Sequence, residues 1–448
     1  MKFPHPLALL TGCIALAAAM TWLLPASQYQ RRHDDVTGRE VVVPGTWHAV
    51  PAAPVSPFGA AMAIPKGMLA AGDVIFLVLL VGGSFVVVDK TGALGQATGW
   101  LADRLANRSM LVIPIVSLCF ATGGVVENMA EEIIALTPIL LVLAARLGFD
   151  PLVAAAMSIG AAAVGASFSP LNPFQVGIAQ RLAQLPLGSG WAFRLVVLAV
   201  ALTLWIWGTM RYARRNRVTP DARRTTHEGD TPVPLGPRHV FILALVFAAF
   251  GTYVYGALNL GWELNQLTAL FFVMGVVAGL VGRLGVQGTA VAFTEGFASM
   301  AYAAVLIGFA RAITVLLDEG RVIDTVVHGI VVPIEGRPAA VASLAMLVAQ
   351  FGIHFPVPSV SSQAVLTMPV LVPLSDLIGL QRQVTVLSYQ YGAGLAELVT
   401  PTNGALMAII AAARVPYDSW VKFAAPLTLL LFGLGAAAVL AAMAIGLS

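Results

Sequence analysis

The sequence predicts an all-α polytopic membrane protein with two inverted-topology repeats, each holding a re-entrant hairpin and a broken helix. Three observations carry this. The chain has 448 residues, 58% hydrophobic and only 10% charged, against roughly 25% charge in average soluble chains. Its apolar runs are continuous rather than alternating, which suits helices of about 20 residues and excludes a β-barrel. Residues 121–180 and 351–410 read as two copies of one element at a constant offset of 231 positions. Pro138 matches Pro369, Gly148 matches Gly379, Pro170 matches Pro401 and Asn172 matches Asn403. Matched helix breaks in strongly apolar sequence point to a secondary transporter and its binding site.

The elements follow in order. Leu7–Pro25 reads as a first span, because Leu23-Leu24-Pro25-Ala26-Ser27 is a poor signal-peptide cleavage site. Gln28–Val55 is polar, with a small extramembrane hairpin expected near Glu40–Pro44. Pro57–Gly72 reads as interfacial, Asp73–Val88 as a span, Ala93–Arg108 as a second interfacial helix and Met110–Val125 as a span. The first hairpin is placed near 127–138, a turn at Gly148-Phe149-Asp150-Pro151, and the first break near 167–173. Trp191–Met210 closes an N-terminal half, 1–218.

Residues 219–238 form a linker, and the surrounding Arg211–Arg238 stretch holds seven arginines against Asp221, Glu228 and Asp230. That bias places it in the cytoplasm. With Lys2 also inside, the first half crosses an even number of times. Without the extra first span, an odd number remains in the repeat, so its second copy inserts upside down. In the second half, 239–448, Val240–Leu258, Leu267–Val281, Ala303–Leu317 and Ala339–Ile353 read as spans, with Gly285–Met300 and Asp318–Val332 interfacial. The second hairpin is placed near 356–369 and the second break near 400–404. The total is about twelve membrane segments plus two hairpins, following the usual span length. Cys13 and Cys119 both fall in apolar runs and read as buried free thiols, with no disulfide or zinc framework.

The breaks carry the first candidate chemistry. Pro170, Pro173 and Pro401 cannot continue a helix. Carbonyls freed inside a bilayer cost several kcal/mol each unless satisfied, and a bound cation satisfies them directly. Ser169, Asn172, Thr400, Thr402 and Asn403 add oxygens and amides, so Na⁺ is a candidate at Ser169, Asn172, Thr400 and Asn403. The hairpins carry the second. Glu127, Glu131 and Glu132 would together cost roughly 8 kcal/mol facing lipid, so they must face protein, water or a cation. Asn128 lies beside them, and Glu397 sits one turn before the second break. The second hairpin has Ser359, Ser361, Ser362 and Gln363 instead of acids, which suits a solute with two unlike ends. Arg311, inside an apolar run, either binds an anion or snorkels to pair with Asp318. His354 reads as a satisfied core histidine.

No His-Glu-x-x-His, Gly-x-Ser-x-Gly or Gly-x-x-x-x-Gly-Lys-Ser/Thr motif occurs, which argues against an intramembrane enzyme and against ATP-driven transport. Two broken helices without a repeated charged ring argue against a channel. A net charge of +3 reflects basic loops and gives no case for nucleic acid.

At Ala63-Ile64-Pro65-Lys66-Gly67, Met129-Ala130-Glu131-Glu132, Asn172–Gln180, Ser361–Pro369 and Thr400-Pro401-Thr402-Asn403-Gly404, the chain resembles the C4-dicarboxylate anaerobic carrier-like family. It is most similar to the YfcC branch of basic amino-acid antiporters. The resemblance covers nearly the whole chain. It implies the ion-transporter superfamily fold, a homodimer and elevator-like movement. The chain departs from relatives in having Ala393 and Glu397 where Asp and Asn are usual, and in its extra Glu127.

The reading is therefore a multi-pass secondary active transporter of the inner membrane, moving a small organic ion. A basic amino acid, by exchange or cation coupling, is the first candidate. A C4-dicarboxylate coupled to Na⁺ or H⁺ is the second. Substrate is assigned to Asn172, Asn403, Thr402, Ser361, Ser362, Gln363 and Asn128. A cation or cationic group is assigned to Glu131, Glu132, Glu127, Ser169, Thr400 and Glu397. No cofactor is expected beyond the coupling ion.

Overall fold

The computed structural model describes residues 6–34, 39–94, 96, 106–218, 236–260, 262, 264–331, 334 and 336–447. Most of the Ala93–Arg108 segment and most of the 219–238 linker lie outside them, as does the Glu127 side chain.

After α1 (Pro6–Leu23), four short strands fold into an extramembrane cap: β1 (Ser27–Gln28), β2 (Arg31–Asp34), β3 (Arg39–Val42) and β4 (His48–Ala49). β2 pairs antiparallel with β3, as the alternating Glu40–Pro44 sequence predicts, and β1 pairs with β4. Helices α2 (Pro57–Ala70) and α3 (Gly72–Lys90) follow. Ser56 starts α2 as its N-cap, accepting from the Gly59 N–H with Pro57 at the first helical position.

The first repeat is α4 (Val112–Glu127), α5 (Glu131–Arg146) and α6 (Pro151–Ser167). After the break come a π turn (Pro173–Gly177) and α7 (Ile178–Leu182), then α8 (Trp191–Arg215). Helices α9 (Pro237–Leu260), α10 (Leu264–Val281), α11 (Gly285–Glu319) and α12 (Ile323–Val331) separate the copies. The second copy is α13 (Ala339–Ile353), α14 (Val360–Leu377), α15 (Arg382–Ala396), α16 (Gly404–Ala412) and α17 (Tyr417–Ala444). Its order matches that of the first.

Packing repeats as well. α4 lies along α6, and α13 along α15. α5 of the first copy packs on α16 of the second, while α14 of the second packs on α7 of the first. The α4–α6 contact is close because Gly124 faces the Ala162 carbonyl and Gly165 faces the Ala121 carbonyl, leaving no room for a Cβ at either. The two bends lie at Asn128–Ala130, where Asn128 caps α4 in the left-handed region (φ 60°), and between α13 and α14. α5 and α14 then run on as helices through Pro138, Pro369 and Pro373.

Three expectations are corrected. Gly285–Met300 and Ala303–Leu317 are not two segments but one 35-residue helix, α11, about 52 Å long by helical rise. Nothing in its sequence interrupts the backbone between Met300 and Ala303, and it packs against α1, α2, α3 and α16. Among the described residues, seven helices are long and apolar enough to span, and five more are shorter apolar helices. The hairpin arms are included in those, not additional to them. Cys119 is exposed rather than buried, on the outer face of α4, and Cys13 is half-buried; both are free.

Candidate functional site

Both breaks are built around an asparagine used as an N-cap. The Asn172 Oδ1 accepts from the N–H groups of Phe174 (2.9 Å) and Gln175 (3.0 Å). The Asn403 Oδ1 accepts from the Leu406 N–H (3.1 Å), the position equivalent to Gln175 in the repeat. An N-cap amide answers one or two of the four N–H groups that a helix start leaves open.

Each break is also tied to the helix that leads into its own bend. Asn172 Nδ2 donates to the Gly124 carbonyl (2.7 Å), and Thr402 Oγ1 donates to the Phe355 carbonyl (2.8 Å). Gly124 and Phe355 are themselves equivalent under the 231-residue offset. Different side chains thus hold the same carbonyl in the two copies. Ser169 reinforces the first break: its Oγ donates to the Val125 carbonyl (2.8 Å) and accepts from the Leu171 and Asn172 N–H groups. Thr400 Oγ1 donates back to the Ala396 carbonyl in its own helix.

The broken helices meet at their ends. Ser167 packs on Gly394, the Phe168 ring lies 4.7 Å from the Tyr391 ring, and Gln390 Nε2 donates to the Ser169 carbonyl (2.7 Å). As the chain advances from Ser167 to Ser169, its partners step back from Gly394 to Gln390. The C-terminal ends of α6 and α15 therefore pass each other antiparallel.

A small cavity of ≈ 10 Å³ opens beside this crossing, with room for about one water molecule. Asn128, Glu397 and Asn403 supply its polar lining, with Met129, Ala130 and Trp420 among the rest. Glu397 lies close enough to Glu131, at the start of α5, for the two carboxylates to repel one another. Asn172 does not line this cavity. The first break reaches it through Gln175, whose Nε2 donates to Asn128 Oδ1 (2.8 Å). Gln175 Oε1 is buried without a partner.

The other assigned residues lie as follows. Glu132 is 8% exposed, and its carboxylate accepts from the Ala130 N–H at 3.2 Å. Gln363 is fully buried inside the second bend. Its Nε2 donates to the Gln350 carbonyl (2.7 Å), and its Oε1 meets His354 Nδ1 (3.1 Å). Ser359 caps α14, accepting from the Ser362 N–H, and Ser361 lies beside it. Ser362 is exposed and lines a different, larger cavity of ≈ 270 Å³. The structure thus brings Asn128, Glu397 and Asn403 together, and holds Asn172, Ser169 and Gln363 in the frame around them.

Sequence reasoning missed one feature. Arg194 of α8 is completely buried. Its Nε donates to Gln390 Oε1 (3.0 Å), Nη1 to the Ser189 carbonyl (2.8 Å) and Nη2 to Gln383 Oε1 (3.0 Å). No carboxylate pairs with it among the described residues. The same Gln390 holds the Ser169 carbonyl, so a fixed positive charge reaches the first break through one amide. The signal was available: an arginine near the start of an apolar run is costly unless it has a role.

The family model for the C4-dicarboxylate anaerobic carrier matches residues 3–444, almost the whole chain. The chain belongs to that family. The carrier is 34% identical over 396 residues to YfcC of Escherichia coli (strain K12), provisionally named a basic amino acid antiporter; the match covers 83% of the carrier and 78% of YfcC. It is 26% identical over 487 aligned residues to an uncharacterized protein of Haemophilus influenzae, covering 96% of each. Among solved structures it is similar to the YdaH transporter of Alcanivorax borkumensis, with a TM-score of 0.46, 16% identity and 99% of each chain covered. It is also similar to MtrF of Neisseria gonorrhoeae, described with a class of antimetabolite efflux pumps, with a TM-score of 0.41, 18% identity and 98% and 94% covered. The carrier is a multi-pass secondary transporter of the inner membrane, acting on a small-molecule substrate within a lipid bilayer.

Proposed function

We propose that the carrier moves a basic amino acid, by exchange or cation coupling, through a site formed by Asn128, Glu397 and Asn403, with Glu131 behind them. The observation that carries this reading is Glu397 in the cavity lining, with Glu131 close enough to repel it. Among the described residues neither carboxyl group has a salt-bridge partner, and two such neighbouring groups attract an ammonium, a guanidinium or a small cation. The chemistry is carriage, with no bond made or broken. YfcC, by its provisional name, points to the same class of solute.

The repeats are read as inverted, with the antiparallel crossing of α6 and α15 and the exchanged contacts of α5 with α16 and α14 with α7 as support. The cavity is too small for an amino acid, so carriage requires the two copies to separate before the solute enters. Na⁺ or H⁺ is the proposed coupling ion, and a homodimer the proposed assembly.

A C4-dicarboxylate is the second reading. Arg194 favours it, because a buried guanidinium behind the first break, with no carboxylate partner among the described residues, attracts an anion. A counterflow assay with labelled arginine, ornithine and succinate, with and without Na⁺, separates the two. Arginine counterflow is expected. Succinate counterflow alone sinks the amino-acid reading, and unsaturable flux sinks the carrier mechanism.

A further inference from the structure

The second cavity, ≈ 270 Å³, is assigned to nothing above, although it is far roomier than the first. It lies between the extramembrane cap, α11 and the start of α14. Arg31 and Glu40 come from the cap, Arg311, Thr314 and Asp318 from α11, and Ser362 from α14. Positions 311, 314 and 318 fall on one face of a helix, and seven residues separate the two charges by about 10 Å along its axis. Among the described residues, neither Arg311 nor Asp318 has a salt-bridge partner. Thr314 Oγ1 is buried and also lacks a partner.

The remaining charges can be sorted. The Arg31 guanidinium is taken up by Asp324, with Nη2 at 2.9 Å from Oδ1 and 3.1 Å from Oδ2. Asp324 is further fixed by the Tyr29 N–H (2.9 Å). Among the described residues, the ion pair of Glu40 is an exposed contact to His33, 3.6 Å, which contributes little. Among the described residues the cavity is left with one free cation, Arg311, and two under-compensated anions, Asp318 and Glu40. Its complement is a molecule with one carboxylate and two cationic groups. A dicarboxylate would meet two like charges and one partner.

We infer that this cavity is a docking site for a basic amino acid at the face of the protein that carries the cap. Arg311 receives the carboxylate, Asp318 and Glu40 receive the ammonium and side-chain cation, and Thr314 and Ser362 offer hydroxyls between them. The solute class rests on the reading under Proposed function; the site itself is separate from the Asn128–Glu397–Asn403 cavity. Ser362 and Val357 line the docking site, and the Phe355 carbonyl nearby anchors the second break. A solute held there sits one bend away from the broken helices.

The test is equilibrium binding of labelled arginine to the full chain in detergent, in an Asn403→Ala background that disables the inner site. Residual arginine binding is expected. Adding Asp318→Asn, or separately Glu40→Gln on a different element, should weaken it about tenfold. Arg311→Gln should do the same, and excess succinate should not compete. No arginine binding in Asn403→Ala, or binding that neither Asp318→Asn nor Glu40→Gln alters, overturns the proposal. If binding behaves as expected while wild-type proteoliposomes exchange no arginine, the docking site stands and the transported-solute reading fails.

Discussion

Gln390 Nε2 lies 2.7 Å from the carbonyl oxygen of Ser169, so a side chain of the second broken helix satisfies a backbone group freed by the break in the first. A bare carbonyl inside a bilayer costs several kcal/mol unless something satisfies it. The structure answers it with an amide, whose other end accepts from the buried Arg194. The second half of the protein therefore completes the first at the point where its helix fails.

Replacing Gln390 tests this link. Gln390→Ala strands the Ser169 carbonyl and one Arg194 N–H, both buried, and should cost about 2–3 kcal/mol. Gln390→Glu keeps an acceptor for Arg194 and loses only the bond to Ser169, so its cost should be nearer 1 kcal/mol. Denaturant titration of the detergent-solubilised carrier checks the order. Equal losses for both variants would rule out the shared role.

The two asparagines should behave differently despite their matched positions. Asn172 accepts twice and donates once, whereas Asn403 has one acceptor contact to its helix and lines the inner cavity. Asn172→Ala should lower stability by about 2 kcal/mol and Asn403→Ala by about 1 kcal/mol or less. Arginine counterflow by folded Asn403→Ala should nonetheless be lost. A stable Asn172→Ala beside an unfolded Asn403→Ala would reverse the assignment.

Glu397→Gln removes an ionisable carboxyl group from the inner cavity while keeping its shape. Arginine counterflow should fall at least about tenfold, the equivalent of ~1.4 kcal/mol. Thermal stability should hold or rise, because the repulsion with Glu131 is relieved. Full transport by this variant would remove Glu397 from the site.

Gly165 sets the spacing of α4 and α6. A methyl there lands on the Ala121 carbonyl, which is backbone and cannot step aside. Gly165→Ala should destabilise by about 1–3 kcal/mol, and Gly352→Ala, where nothing lies in the way beyond ordinary helix preference, should not. A thermal shift comparison of the two separates packing from propensity.

Much of this was legible in the residues. Pro170 and Pro401 locate the breaks because each stands between a hydroxyl residue and an asparagine in apolar sequence, whereas Pro138 and Pro369, matched at the same offset, are carried inside helices; the constant offset exposes the repeat. Asn172 and Asn403 stand just before new helices, where a short amide is the usual cap. Other features were hidden. The continuity of α11 past Met300 depends on packing against four helices, and polar residues such as Thr294 and Glu295 resemble an interfacial segment when read alone. Gln383, Ser388 and Gln390 lie on a helix buried on every side, where polarity marks internal bonding and not exposure to water. Which glutamates share a cavity depends on how α5 sits against the second break, and no local pattern encodes that.

Cys119 gives the molecule a native reporter. It projects outward from within a spanning segment, on the helix leading into the first bend, and the other thiol, Cys13, is half-buried on α1. A bilayer-soluble maleimide dye would therefore reach it from the lipid side without engineered cysteines, with Cys13→Ser removing the second thiol. Its emission, followed while solute is added, would report any change in the surroundings of that helix during transport.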